Sequence, residues 1–480
     1  MRAAVLADFG STICKVTVVD LDQGAVAGHG EAPTFLGPDV MEGHDAAYQA
    51  AIAHLPRRPD VTVRRSCSSA GGGLRMAAIG LVEEMTAAAA RRAALNAGGR
   101  LELVLHGQID DGDLAALDAC DPEIVLFSGG TDGGQRELVL ANARALSGGS
   151  WSGQVVVACN REAAAAAAAT FRASGRAVHV VDNVMPEIGT VRPEAARSAI
   201  LGVFLRHVIR GKNLSNRREF LESVTTATPE AALAATRLLA YGTQRVPGVG
   251  HVLVVDVGGA TTDVHSVSTE PSAAQGYQLP LLPPGQESRT VSGDLGMRSG
   301  APGAVEADSV WLARRAGTTA AAWAIQGGRR AADPSWIAAG PDELRREELL
   351  ATSCVTHALT RHCGRQRWVH RPGETAPTLT MSGPDLRDVT VMVGTGGVIA
   401  HHSQPDRILK PALVRAAEVG MSPASPGTVT DHDYVLAAAG LLLSLDADLA
   451  VRLLSRTLGL SSLPARPLTM AWPAPSKGNA

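Results

Sequence analysis

Aromatic residues make up only 3% of the 480-residue chain, and lysine occurs four times against forty arginines. So few rings exclude a surface built to stack nucleobases, and the cores must be made from Leu, Val, Ala and Ile. Excess charge is also missing. A formal net charge of −3 excludes a basic nucleic-acid arm and an acidic tail. Cysteine is sparse: Cys14, Cys67, Cys120, Cys159, Cys354 and Cys363 form no paired framework, so reduced thiols without disulfides are expected. No apolar run approaches the roughly 18 to 20 residues of a membrane span; the longest lies at 434–445. Asp8 interrupts the first apolar stretch after a single basic residue, Arg2, so no signal peptide forms and a cytoplasmic protein is expected.

Hydrophobic residues, at 45%, and glycine, at 51 positions, are in good supply. The length allows two to four structural units at roughly 100 to 200 residues each. The chain opens with two β-rich runs, 3–9 and 13–20, joined by a Gly/Ser/Thr turn. From 60 to 190, short apolar runs at 61–63, 101–105, 124–127, 155–158 and 177–181 alternate with helix-forming stretches at 81–97 and 137–145, which predicts a parallel α/β sheet. Residues 194–239 read as mainly helical, with Pro193 and Pro229 suited to helix starts. Then the opening pattern returns: a β-branched run ends in Asp256, turns through Gly258-Gly259-Ala260-Thr261-Thr262-Asp263, and continues as a strand. A third strand and turn follows as Val391-Met392-Val393-Gly394-Thr395-Gly396-Gly397-Val398-Ile399. Such an echo predicts two related halves.

A strand that ends in Asp and turns through Gly and Ser or Thr presents N–H groups and hydroxyls to an anion, while its carboxylate can hold a hydrated Mg²⁺. Alone, each such turn is more often a plain structural hairpin. Two facing turns would grip the phosphates of a nucleotide, and a third glycine-rich turn would let a base approach the backbone.

Asp8-Phe9-Gly10-Ser11-Thr12, Asp256-Val257-Gly258-Gly259-Ala260-Thr261-Thr262-Asp263 and Gly394-Thr395-Gly396-Gly397 resemble, in that order, the phosphate-1, phosphate-2 and adenosine motifs of the actin, heat-shock chaperone and sugar kinase ATPase superfamily. Lys15 stands where actin places a phosphate-contacting lysine, and in a chain that otherwise prefers arginine a lysine there is notable. Segments 66–76, 128–134, 183–189 and 293–298 narrow the likeness: they are similar to the glutamate mutase accessory protein family, called MutL or GlmL, which shares only its name with the mismatch-repair protein. The likeness runs from residue 3 to about 445.

The resemblance implies an α/β, two-lobed actin-like ATPase fold of duplicated ribonuclease H-like domains with an inserted α/β region. In those terms residues 1–60 start the first lobe, 61–190 are the insertion and 191–250 the helical return. Residues 251–463 form the second lobe, with the nucleotide site completed at 394–397, and 464–480 a proline-rich tail. It further implies ATP or ADP with Mg²⁺ as ligands and subunits of an adenosylcobalamin-dependent mutase as partners, in a chaperone or reactivating role, with no membrane and no nucleic acid. Asp8 and Asp256 would hold waters of the cation, with Asp256 also a candidate to orient the attacking water, and Asp263 would complete the metal surroundings. Gly10, Ser11, Thr12, Lys15, Gly258, Gly259, Thr261 and Thr262 would meet the phosphates, and Gly394, Thr395, Gly396 and Gly397 the adenosine. A small-molecule kinase and a non-hydrolysing actin-like scaffold are the alternatives; a kinase needs a catalytic carboxylate that the sequence does not single out.

Other segments have plainer readings. Asp132 in 128–134 either touches a ligand or caps a helix, and Gly71-Gly72-Gly73 is either an anion site or a hinge. Cys354, His357, His362 and Cys363 suggest zinc, but on one helix adjacent His362 and Cys363 diverge by about 100°, so they are not read as a metal site. The stretch 434–445 reads as a small-residue helix at a domain hinge.

Overall fold

A computed structural model of the chain describes residues 1–35, 38–70, 74–96, 100–207, 214–268, 285–370 and 376–460. The glycine run 71–73 and the tail 464–480 lie outside the described residues. Near-continuous apolar residues make β1 (Arg2–Phe9) a central strand, buried along all but its first residue. β2 (Ile13–Asp20) and β3 (Ala25–Pro33) fold back antiparallel in turn. Asp39 then caps α1 (Val40–Ile52) by accepting the Met41 N–H, and β4 (Asp60–Ser68) runs parallel to β1.

A second sheet interrupts this lobe. It comprises β5 (Arg75–Ile79), α2 (Ala88–Asn96) after a π-helical turn at Glu83–Ala87, β6 (Arg100–Leu105), α3 (Asp111–Cys120) and β7 (Ile124–Gly129). α4 (Glu137–Ser147), β8 (Gln154–Cys159), α5 (Arg161–Ala173) and β9 (Val178–Val180) complete it. All five strands are parallel, in the order β6-β5-β7-β8-β9, a doubly wound arrangement. The run at 61–63, expected to open this region, belongs instead to β4, because its register pairs it with β1 of the lobe. The inserted sheet is not a separate body: Ile124, Leu126, Val156 and Ala158 share one buried cluster with Val5, Ala7 and Phe9.

The chain returns through α6 (Glu194–Arg206), α7 (Arg218–Ser223), β10 (Val224–Ala227) and α8 (Thr228–Tyr241). The helical reading of 194–239 therefore misses one strand, short and Thr-rich, which pairs with β4 and completes the order β10-β4-β1-β2-β3.

The second lobe repeats that order. β11 (Val252–Val257), β12 (Thr262–Val267) and β13 (Glu287–Ser292) are antiparallel neighbours. An excursion follows, made of α9 (Ala301–Ala316), α10 (Ala320–Ala332), α11 (Pro341–His362) and the ribbon of β14 (Arg365–Val369) and β15 (Thr378–Ser382). β16 (Val391–Thr395), α12 (Gly397–Ala400), α13 (Asp406–Ala417), β17 (Gly427–Thr430), α14 (Val435–Leu442) and α15 (Ala447–Thr457) finish it, with β16 parallel to β11 and β17 parallel to β16. The order β13-β12-β11-β16-β17 matches the first lobe strand for strand in direction. Two such sheets are the duplicated ribonuclease H-like domains of an actin-like ATPase fold, with an inserted α/β region. α8 and α14, each following the last strand of its lobe, pack together; a Cβ on Gly440 would stand 2.1 Å from the Ala231 carbonyl oxygen, so only glycine permits that approach. The third turn leads into a helix, α12, and not into another strand. Among the described residues no helix is long and apolar enough to cross a membrane.

Candidate functional site

The β1–β2 ladder pairs Asp8 with Lys15, which places both side chains on one face where the strands turn. Asp8 Oδ1 accepts the hydroxyl of Thr228, at the start of α8, at 2.5 Å and the Cys67 thiol at 3.6 Å. Lys15 Nζ lies 3.8 Å from Asp8 Oδ2 and 4.2 Å from the centroid of the Tyr434 ring. Burial alone would lower the Lys15 ammonium, but Asp8, Asp256, Glu31 and Asp431 outweigh it and hold its pKa above the ordinary value.

From the second lobe, the β11–β12 turn is closed by the Gly258 N–H donating to the Thr261 carbonyl at 2.9 Å. The loop after β13 braces it: Met297 N–H donates to Gly258 at 2.9 Å and Arg298 N–H to Gly259 at 2.7 Å. The two turns meet across the cleft, since a Cβ on Gly259 would stand 2.8 Å from Thr12 Oγ1. Burial raises the Asp256 carboxyl; Lys15 opposes this and Asp8 adds to it. Burial likewise pushes Asp263 up to about 6, against the pull of Arg289.

Between the turns lies a cleft of about 820 Å³, within the range of small-molecule sites. Its polar lining includes Asp8, Ser11, Thr12, Lys15, Thr261 and Asp263, and its apolar lining includes Met297, Trp336, Ile337, Leu344 and Val398. Gly10, Asp256, Gly258, Gly259, Gly396 and Gly397 also line it.

Three expected residues do not. Thr262 is buried and donates its hydroxyl to the Leu295 carbonyl at 2.9 Å, because strand alternation turns it into the core behind the site. Gly394 packs against Leu409, and Thr395 is buried, so neither stands on the cleft wall. Conversely, sequence reasoning missed Glu31, Thr228, Arg298, Trp336, His401 and Tyr434, which all line the cleft. His401 Nε2 lies 2.9 Å from Glu31 Oε1 across the two lobes. Burial would raise Glu31, but the His29 hydrogen bond and the His401 charge hold it below the usual carboxylate range. The only available signals were the 293–298 segment for Arg298 and the start of the 434–445 stretch for Tyr434.

The carboxylates fit a cation held largely through water and phosphate. Asp263 Oδ1 is buried with no hydrogen-bond partner among the described residues, and Asp256 and Asp8 face the same cleft. Yet among the described residues no three acidic, His or Cys side chains are grouped closely enough to cage a metal alone.

Asp132, in the insertion, accepts the Arg161 N–H at 3.0 Å and the Asn183 amide at 2.9 Å, so it supports the start of α5, whose N-cap is Asn160, and not the helix that follows its own turn. His362 sits between the hydroxyls of Ser266 and Thr290, at 2.8 and 2.9 Å, and burial pushes it down to about 3. It is a neutral core histidine, away from any metal role.

A family model described as MutL protein matches residues 4–458. Protein MutL of Clostridium tetanomorphum is 34% identical over 465 residues, covering 95% of this chain and 99% of that protein. Among solved structures, acetone carboxylase without nucleotide aligns with 91% of this chain and 69% of its own at 11% identity and a TM-score of 0.36. Glycerol dehydratase reactivase aligns with 92% and 99% at 13% identity and a TM-score of 0.33. Xylulose kinase from Bifidobacterium adolescentis aligns with 94% and 93% at 12% identity and a TM-score of 0.31. At such scores the fold rests on the strand order described above.

Proposed function

Since the chain belongs to the MutL protein family, we propose that it is an ATP-binding, Mg²⁺-dependent ATPase acting as a reactivase-like accessory protein to an adenosylcobalamin-dependent mutase such as glutamate mutase. One observation carries the nucleotide half of this reading. Two aspartate-tipped glycine turns, one from each lobe, meet at Thr12 and Gly259 over a cleft lined by both polar and apolar side chains. The polar groups suit a triphosphate and the apolar ones a purine. The family membership and the resemblance of segments 66–76, 128–134, 183–189 and 293–298 support the mutase half.

In this reading the N–H groups and hydroxyls of both turns hold the phosphates, and Lys15 faces them as a compact cation. Bound Mg²⁺ would supply charge neutralisation at the phosphates, with Asp8, Asp256 and Asp263 as its protein-side partners. Asp256 orients the attacking water, so catalysis comes from positioning and electrostatics without a covalent intermediate. Opening and closing of the lobes about α8 and α14 then acts on the mutase.

The test is ATP binding and phosphate release by the purified protein, with and without Mg²⁺ and a cognate mutase, beside Asp8→Ala and Asp256→Ala. Binding that needs Mg²⁺ and is lost in both variants, with turnover raised by the mutase, is the expected result. No ATP binding by the wild type sinks the reading. Turnover raised by sugars or small acids would indicate a kinase, and ATP-dependent sedimentation a scaffold.

A further inference from the structure

β12 and β13 turn a charged face toward the first lobe. Their register pairs Asp263 with Val291, His265 with Arg289 and Val267 with Glu287, and antiparallel partners stand on the same side. α8 packs on that face with Glu230, Arg237 and Tyr241 on one helical stripe. Along the contact, Arg237 Nε donates to Glu287 at 2.5 Å and the Tyr241 hydroxyl to Gln286 at 3.1 Å. At its upper end the Arg289 guanidinium lies 3.5 Å from Asp263 Oδ2 and within the field of Glu230, which also binds Arg197 of α6. Arg289, Glu230 and Asp263 are 4%, 6% and 7% exposed.

Stability alone does not account for this arrangement. Buried ion pairs are often matched or bettered by apolar residues of similar volume, because desolvation offsets their attraction. The position of the seam offers another reason for it: Asp263 has Oδ2 beside Arg289, while Oδ1 has no hydrogen-bond partner among the described residues and Asp263 itself lines the cleft. We propose that Arg289 and Glu230 are positioning residues for the cation site: Arg289 holds Asp263 by one oxygen and leaves the other to the cleft, and Glu230, on the α8 face packed against β12, supplies a counter-charge to Arg289 from the first lobe. The site is then complete only when the second lobe is seated on α8. This inference rests on the Mg²⁺-nucleotide reading above.

The experiment titrates Mg²⁺ against binding of a fluorescent ATP analogue, mant-ATP, and records thermal unfolding of each variant. Arg289→Met should raise the Mg²⁺ needed for half-maximal binding roughly 10- to 100-fold, the usual effect of losing an outer partner of a metal ligand. Arg289→Lys should recover part of this, and Glu230→Gln should shift it in the same direction as Arg289→Met. The double variant should be no worse than Arg289→Met, since both act through one carboxylate. Arg237→Met breaks the neighbouring pair without touching Asp263, so it should lower the unfolding temperature and leave the Mg²⁺ requirement alone. If Arg289→Met does not fold, Arg289→Lys and Glu230→Gln carry the comparison with Arg237→Met. Equal Mg²⁺ shifts in the Arg289 or Glu230 variants and in Arg237→Met, or none in the former, overturn the proposal and leave ATP binding standing. A wild type that binds no mant-ATP overturns both.

Discussion

The backbone of Gly396 lies against the carboxylate of Asp256: a Cβ there would stand 2.8 Å from Asp256 Oδ1 and 2.3 Å from the Val257 carbonyl oxygen. The third turn thus braces the second, and Gly396 adopts φ 91°, open to glycine at little cost. Gly396→Ala should destabilise the protein by roughly 2–4 kcal/mol, from backbone strain and overpacking together. Because the clash reaches Asp256, nucleotide binding should weaken even where the variant remains folded. Urea unfolding and a binding titration check this; an unchanged midpoint would show that the turn does not brace Asp256.

Lys15 faces Asp8 across the β1–β2 ladder, and its ammonium sits over the ring of Tyr434. Lys15→Met leaves Asp8 and Asp256 facing incoming phosphates without that charge, and should cost roughly 2–4 kcal/mol of ATP binding. Lys15→Arg should restore only part of it, because a planar fork replaces a point charge. Isothermal titration of the three proteins decides; full restoration by arginine would mean that charge alone matters.

Legibility from sequence followed the length of the signal. Runs such as 252–257 combine β-branching with a glycine turn, so both Asp-tipped turns and the duplication could be read from local pattern. β10 could not: four residues, Val224–Ala227, owe their strand form to pairing with β4, a contact distant in sequence. Likewise Thr261 and Thr262 are equivalent as letters, and only strand alternation separates the one at the cleft from the one in the core. Trp336 lies in a loop brought to the cleft by the α9–α11 excursion, which no local pattern announces.

Asp431 is fully buried at the end of β17, where it accepts the N–H groups of Val435 and Leu436 at 2.8 and 3.0 Å. Burial nevertheless pushes its carboxyl up to about 6, the two N–H groups opposing the shift. A folded pKa above the unfolded value of 3.8 means that folding favours the protonated form. The associated stability is present below the unfolded value and is lost as pH rises through about 6. Asp431→Asn should therefore flatten the fall in unfolding temperature between those two pH values, by an amount equivalent to roughly 2–3 kcal/mol. Parallel curves for wild type and variant would contradict the assignment.

Thr261 and Thr262 offer the sharpest separation of binding from stability. Thr261 lines the cleft, whereas the Thr262 hydroxyl is buried and bonded to the Leu295 carbonyl. Valine keeps the shape of either side chain and removes the hydroxyl. Thr261→Val should weaken ATP binding about tenfold, the loss of one hydrogen bond to a charged group, with little change in unfolding. Thr262→Val strands the Leu295 carbonyl in the core and should cost roughly 1–3 kcal/mol of stability while leaving ATP affinity within about twofold. Affinity and urea midpoint measured on both variants test this directly. The reverse pattern, with Thr262→Val losing affinity and Thr261→Val losing stability, would mean that the β11–β12 turn presents its other face to the nucleotide.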